Sequence, residues 1–282
     1  MRNSLPSKHY GKTKTIVAVH SQTARSHAAT RADAPGDPGR SRSVLEPPRF
    51  SAWVGNGMAG HPVRAFLAVA IVGFALLAAA AVLVGWALQT YALPEHGFGR
   101  QDERVVVWLA DHRTAFRTDV SFWLSGIGDV YAIPALVAGT TLVAVVQRKW
   151  RVAAFLVTAI AVEAATYRVA TLTIDRQRPH VRRLDDLPVS DSFYSGHTAA
   201  SVAVYCGIAL LVTSWVRNTA LRLVIWLVAI AIPLLVGLAR MYRGMHHPTD
   251  VAAGLLVGVG CLIVAVTAAR VAGAAAREGA PS

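Results

Sequence analysis

The stretch GLARMYRGMHHPTDVAAG, residues 237–254, decides how the rest of the chain is read. It sets Arg240, Arg243, two adjacent histidines (His246 and His247) and Asp250 between long runs of Ala, Val, Leu and Ile. Charged side chains beside membrane-length apolar runs are costly, and a functional site is their usual justification. Composition supports that setting. The 282 residues are 54% hydrophobic and 16% charged, whereas an ordinary soluble domain carries about a quarter charged residues. The chain is therefore read as a membrane protein.

Outward from this stretch, six apolar runs approach the ~20 residues that cross a bilayer as a helix. They cover roughly residues 64–89, 130–147, 152–174, 198–216, 223–239 and 251–269. The second is short, and the fifth contains Pro233, which sets its boundaries loosely. The fold class expected is all-α: a polytopic bundle of six transmembrane helices spanning residues 64–270, with a short tail over 271–282. Residues 1–63 are rich in Ser, Thr, Arg, Pro and Gly without an apolar period, and are read as a disordered basic tail. Residues 1–64 carry ten Lys or Arg against three acids, a surplus of seven in the formal net charge of +12. No apolar core follows the early lysines, so a signal peptide is not expected. Anionic headgroups and nucleic acid are conceivable targets for such a tail. The adopted reading is a solvated segment that sets orientation, with no nucleic-acid partner. Cys206 and Cys261 lie in apolar runs and offer neither a disulfide framework nor metal-ligand spacing.

The loops QRKWR (147–151) and VRNTALR (216–222) are short and basic. With the tail, Arg270 and Arg277, they place both termini in the cytoplasm by the positive-inside rule. Three loops then face outward. The first contains DERVVVWLADHRTAFRTDVSFWL (102–124), where Val106, Leu109, Phe116, Val120 and Trp123 recur at helical spacing. It is expected to be one amphipathic helix lying in the outer interface. The second, IDRQRPHVRRLDDLPVSDSFYSGHTAAS (174–201), holds Arg176, Arg178, Arg182 and Arg183 against the positive-inside bias. The third is the opening stretch.

The residue types in these loops suit a phosphate. Converging guanidiniums present paired N–H donors to its oxygens. Ser195 and Gly196 offer a hydroxyl and unobstructed N–H groups where the fourth span begins, and a helix N-terminus favours an anion. Two histidines from different loops can divide nucleophile and general acid, and an Asp four residues after a His can orient its imidazole. The segment HHPTD lacks the further ligands of a zinc site. No metal and no other cofactor is expected.

Together, Arg178-Pro179, then Ser195-Gly196-His197, then Arg240 with His246 six residues beyond and Asp250 four beyond that, resemble the type 2 phosphatidic acid phosphatase family. That family shares its site with vanadium haloperoxidases. The resemblance covers roughly residues 64–270. Three positions depart from the family pattern: Thr171 replaces a Lys, Tyr194 a Pro and Ala239 a Ser. The resemblance implies a metal-independent phosphatase for a lipid phosphate, with the bilayer as its other partner. His246 would be the nucleophile, Asp250 its orienting partner and His197 the general acid. Arg178, Arg240, Ser195 and Gly196 would hold the phosphate, and Arg168 or Arg176 would fill the seat of the missing Lys. His247 is read as structural or at the rim. A phosphotransferase on the same site, and a degenerate member that only binds or carries phospholipid, are the alternatives. The sequence does not name the lipid or the oligomeric state.

Overall fold

The computed structural model describes residues 44–45, 57–92, 98–186 and 191–278. Most of the basic tail therefore lies outside the described residues. Within them all regular structure is helical: α1 (Pro62–Ala87, continued by a π-turn over Leu88–Ala92), α2 (Phe98–Asp111), α3 (Ala115–Ile127), α4 (Ala132–Val146), α5 (Trp150–Thr173), α6 (Gly196–Thr213), α7 (Thr219–Tyr242) and α8 (Pro248–Glu278). Six segments are long and apolar enough to cross a membrane, α3 and α4 together forming the second. The protein is a multi-pass, all-α membrane protein.

Two boundaries differ from the expectation. The amphipathic stretch is two helices, because Thr114 leaves helical geometry and caps α3 by accepting from the Arg117 N–H at 3.2 Å. Its second half joins α4 in a span of 32 residues, Ala115–Val146, which explains why the second apolar run alone is short. At the other end α8 runs to Glu278, so residues 271–278 extend the last helix.

Proline and cysteine explain α7. Pro233 has no N–H for the carbonyl of Ala229, four residues earlier. In the bundle the Cys206 thiol donates to that oxygen at 3.4 Å, so the helix continues for 24 residues. Outward-facing Leu76, Leu227, Leu256 and Ile263 are exposed and form a lipid-facing surface.

Small residues set how closely the helices approach. A Cβ on Gly254 would lie 2.6 Å from the Ser195 carbonyl oxygen, and one on Gly258 would lie 2.6 Å from that of Ala199. Backbone cannot move aside as a side chain can. The first turns of α6 and α8 are thereby pressed together, and Ser195 N–H donates to the Asp250 carbonyl at 3.0 Å. Gly254→Val is expected to cost about 1–3 kcal/mol of stability through overpacking. A lower melting temperature in detergent checks it; an unchanged one would mean that the two helices can separate freely.

Candidate active site

Three chain segments meet at one end of the bundle: the loop after α5, the start of α6, and the α7–α8 turn. Arg240 lies in the last turn of α7 and is 2% exposed. Its Nη1 donates to Ser125 Oγ at 2.9 Å and to Asp185 Oδ2 at 2.8 Å. Its Nε and Nη2 are buried with no hydrogen-bond partner among the described residues. A buried, unsatisfied guanidinium edge is costly, so it marks a place meant for an acceptor. Arg178 is also buried and donates from Nη1 to the Met245 carbonyl at 2.5 Å.

His246 is 3% exposed, and its Nδ1 lies 2.8 Å from the Ser192 carbonyl. A carbonyl can only accept, so Nδ1 carries the proton and Nε2 keeps a lone pair. Burial, then the charges of Arg240, Arg178 and His197, hold its pKa well below the usual histidine range. The imidazole is neutral, and these four side chains share one electrostatic neighbourhood. His197 sits in the first turn of α6 with Nε2 3.5 Å from Asp129 Oδ1. Ser195 is fully buried, its Oγ 2.9 Å from Thr198 Oγ1. A Cβ on Gly196 would lie 3.0 Å from the Tyr167 ring, so a side chain there would push that ring back from the start of α6.

Asp250 is placed differently from the sequence expectation. His246 Nδ1 is 3.9 Å from its Oδ2, beyond a hydrogen bond. Its Oδ1 accepts from Arg176 Nη1, and its Oδ2 accepts from Ser192 Oγ at 2.5 Å and from the His247 N–H at 2.8 Å. Ser192 N–H also donates to the Arg176 carbonyl at 2.7 Å. Asp250 thus fixes Ser192, and the Ser192 carbonyl fixes His246.

The neighbouring imidazole turns elsewhere. His247 has Nε2 2.9 Å from Glu103 Oε2 and Nδ1 3.3 Å from Asp250 Oδ2. Burial alone would lower its pKa, but the hydrogen bond and charge of Asp250 outweigh that and raise it.

Neither expected substitute for the missing lysine points at the unsatisfied edge of Arg240. Arg176 is buried and donates to Asp102 Oδ2 at 2.5 Å, to Thr249 Oγ1 at 2.7 Å and to Asp250. Arg168 is exposed on α5, and its guanidinium makes no hydrogen bond or ion pair among the described residues. It does not pair with the buried Glu163. Arg168→Ala should therefore keep activity within about threefold. Arg176→Ala should lose more than ~10², together with several degrees of melting temperature, because it leaves two buried carboxylates without their cation. Equal, small losses at both positions would show that Arg176 is not the keystone.

Several participants escaped the sequence reading. Asp185 accepts from Arg240 and, through both oxygens, from Arg243. Burial would raise its pKa, but the Arg243 hydrogen bond and the two arginine charges bring it below the usual carboxylate value. Asp102 accepts from the Thr249 N–H at 3.0 Å and from its hydroxyl at 2.5 Å, locking α2 to the start of α8. Ser125, Asp129 and Ser192 complete the set. The one available signal was the run of two aspartates, Asp185-Asp186, inside an arginine-rich loop.

With this geometry in place, residues 152–273 match the family model described as the PAP2 superfamily. Over that stretch the chain is similar to the PAP2 superfamily. The PAP2 match begins in α5 and takes in every segment that supplies Arg178, His197, Arg240 and His246. A crystal structure described as the first transmembrane PAP2-type phosphatidylglycerolphosphate phosphatase, from Bacillus subtilis, superposes with a TM-score of 0.57 at 25% identity. That superposition covers 72% of this chain and 93% of the other, so the likeness extends to the helices before the matched domain. Aquifex aeolicus LpxE superposes with a TM-score of 0.47 at 23% identity, over 57% of this chain and 92% of the other. The bacitracin transport permease protein BcrC of Bacillus licheniformis is 35% identical over 81 residues, 29% of this chain. The matched part spans 35% of that relative's length.

Proposed function

We propose that the protein is a metal-independent lipid phosphatase that works through a phosphohistidine. The observation that carries this reading is the buried edge of Arg240, where Nε and Nη2 lack an acceptor beside the neutral His246. A phosphoryl group supplies the missing oxygens, and Arg178 and the N-terminus of α6 complete its cradle. His246 Nε2 attacks phosphorus in line, forming the P–N bond while the P–O bond to the lipid breaks. The nearby Asp250 carboxylate stabilises the positive charge that develops on the ring. His197, its Nε2 3.5 Å from Asp129 Oδ1, gives its proton to the departing oxygen. Water then attacks the phosphohistidine, His197 takes its proton, and inorganic phosphate leaves. Charge spreads over the phosphoryl oxygens in the transition state, so positioned cations supply most of the acceleration.

The PAP2 likeness makes phosphatidylglycerol phosphate the first substrate to try, followed by phosphatidic acid and isoprenyl phosphates. By the distribution of basic loops, both termini are cytoplasmic and the site faces outward. Purified protein should release phosphate from one of these lipids in EDTA and be inhibited by orthovanadate, which resembles the five-coordinate transition state. Activity that disappears in EDTA and returns with magnesium or zinc would exclude the mechanism. Transfer of the phosphoryl group to an added alcohol in preference to water would favour the phosphotransferase alternative.

A further inference from the structure

The end of the bundle opposite Arg240 holds two adjoining cavities. One, of about 470 Å³, lies between α4, α5 and α6 and is walled by apolar side chains such as Leu136, Leu156, Ile208 and Val212. The other, of about 450 Å³, is bordered by Leu45, Arg148, Lys149, Trp150 and Arg151. They share Lys149, Val152 and Trp215, so a greasy slot opens into a basic mouth.

The mouth is built around a tight turn. Arg148 adopts a left-handed backbone conformation, φ 57°, which favours glycine and strains an arginine. Lys149 stands over the Trp215 ring, 4.5 Å from its centroid. Both cations are exposed, and neither forms an ion pair among the described residues. The sequence from 130 to 162 and from 192 to 249 contains no acid at all, so α4, the turn, the first half of α5, α6 and α7 bring no carboxylate to it. Trp150 and Trp215 are 63% and 53% exposed, as befits residues at headgroup depth.

We infer that this composite groove binds an anionic phospholipid, one acyl chain in the apolar slot and the phosphate at Arg148 and Lys149. The spans place the slot within the hydrocarbon, where its occupant must be apolar. The cations at its mouth, which form no ion pair among the described residues, select a negative headgroup over a zwitterionic one. The site is distinct from the phosphatase centre, since the 24 residues of α5 separate the two ends. It does not depend on the chain being a phosphatase.

The test uses the full chain in detergent, with dioleoyl phosphatidylglycerol and dioleoyl phosphatidylcholine as probes and native mass spectrometry as readout. Both are phosphodiesters, so neither is a monoester substrate. Phosphatidylglycerol should bind about tenfold more tightly or better, as two cations near the headgroup imply. The double variant Arg148→Gly, Lys149→Gln should bind both lipids alike, at the phosphatidylcholine level. Gly139 has open space around its missing Cβ in the slot, so Gly139→Phe should fill it and weaken both lipids. Arg148→Gly alone should raise the melting temperature in lipid-free detergent while weakening the preference; a merely structural turn would show only the first change. Arg240→Ala, at the far end, should leave the preference intact. Equal binding of the two lipids by the unaltered chain would overturn the proposal. So would a preference that survives in the double variant, or one that is lost in Arg240→Ala.

Discussion

His246→Ala and His197→Ala should each lower kcat by at least ~10³, whereas His247→Ala should stay within about tenfold. The structure gives a reason beyond register. His246 donates from Nδ1 to a carbonyl and stays neutral because it is buried among cations, so Nε2 has a lone pair to attack with. His247 faces a carboxylate at each nitrogen and is held toward the imidazolium form, which has no lone pair to offer. Its loss should instead appear as instability, since the Glu103 carboxylate on α2 keeps only the His180 N–H as a donor among the described residues and Asp250 loses an imidazole contact. The sign follows from the raised pKa. The stabilisation is fully present below the unfolded value of about 6.5 and is lost as pH rises through the folded value. The melting-temperature gap between the unaltered chain and His247→Ala should therefore be widest at mildly acidic pH and narrow in alkali. Rapid quench with labelled substrate checks the nucleophile directly, because phosphohistidine survives alkali and decays in acid. Label trapped on His247, or near-normal turnover by His246→Ala, would require the site to be redrawn.

The spans were legible because a bilayer demands long apolar helices, and charge placed beside them stands out. The same logic singled out Arg178, Arg240, His197 and His246, whose positions in the chain fall at the ends of spans. Partners were harder to read. Nothing local in the sequence says that Asp185 folds back onto Arg240 and Arg243, because that contact depends on the path of a loop. Asp250 shows the limit more sharply. Its spacing from His246 is right for a direct hydrogen bond on one helical face, yet α8 begins only at Pro248 and His246 precedes it in a turn. The turn swings the imidazole to the Ser192 carbonyl, and Asp250 acts on it one step removed. Thr114 was a readable cap inside the amphipathic stretch, overlooked because the apolar period continued across it.

Arg240→Ala should lower kcat/KM by about 10³, and Arg240→Lys should recover no more than about a tenth of that loss. Two features of the site make lysine a poor replacement. The guanidinium is held by one edge, with Nη1 shared between Ser125 and Asp185, and it turns Nε and Nη2 toward the place assigned to the phosphate. A lysine ammonium reaching Asp185 would spend its charge there and could not also present a parallel pair of donors. Asp185 belongs to the same device. Asp185→Asn keeps the shape but loosens the hold on Arg240, and should raise KM more than it lowers kcat. Arg243 is already spent on Asp185, Ser121 and the Leu184 carbonyl, so Arg243→Ala should cost less than Arg240→Ala. Orthovanadate binding measured by calorimetry offers a readout free of turnover, and Arg240→Ala should abolish it while His247→Ala retains it. If Arg240→Lys kept both vanadate affinity and near-normal kcat/KM, the open edge of the guanidinium would not be the phosphate seat. The proposed cradle would then have to be rebuilt around Arg178 alone.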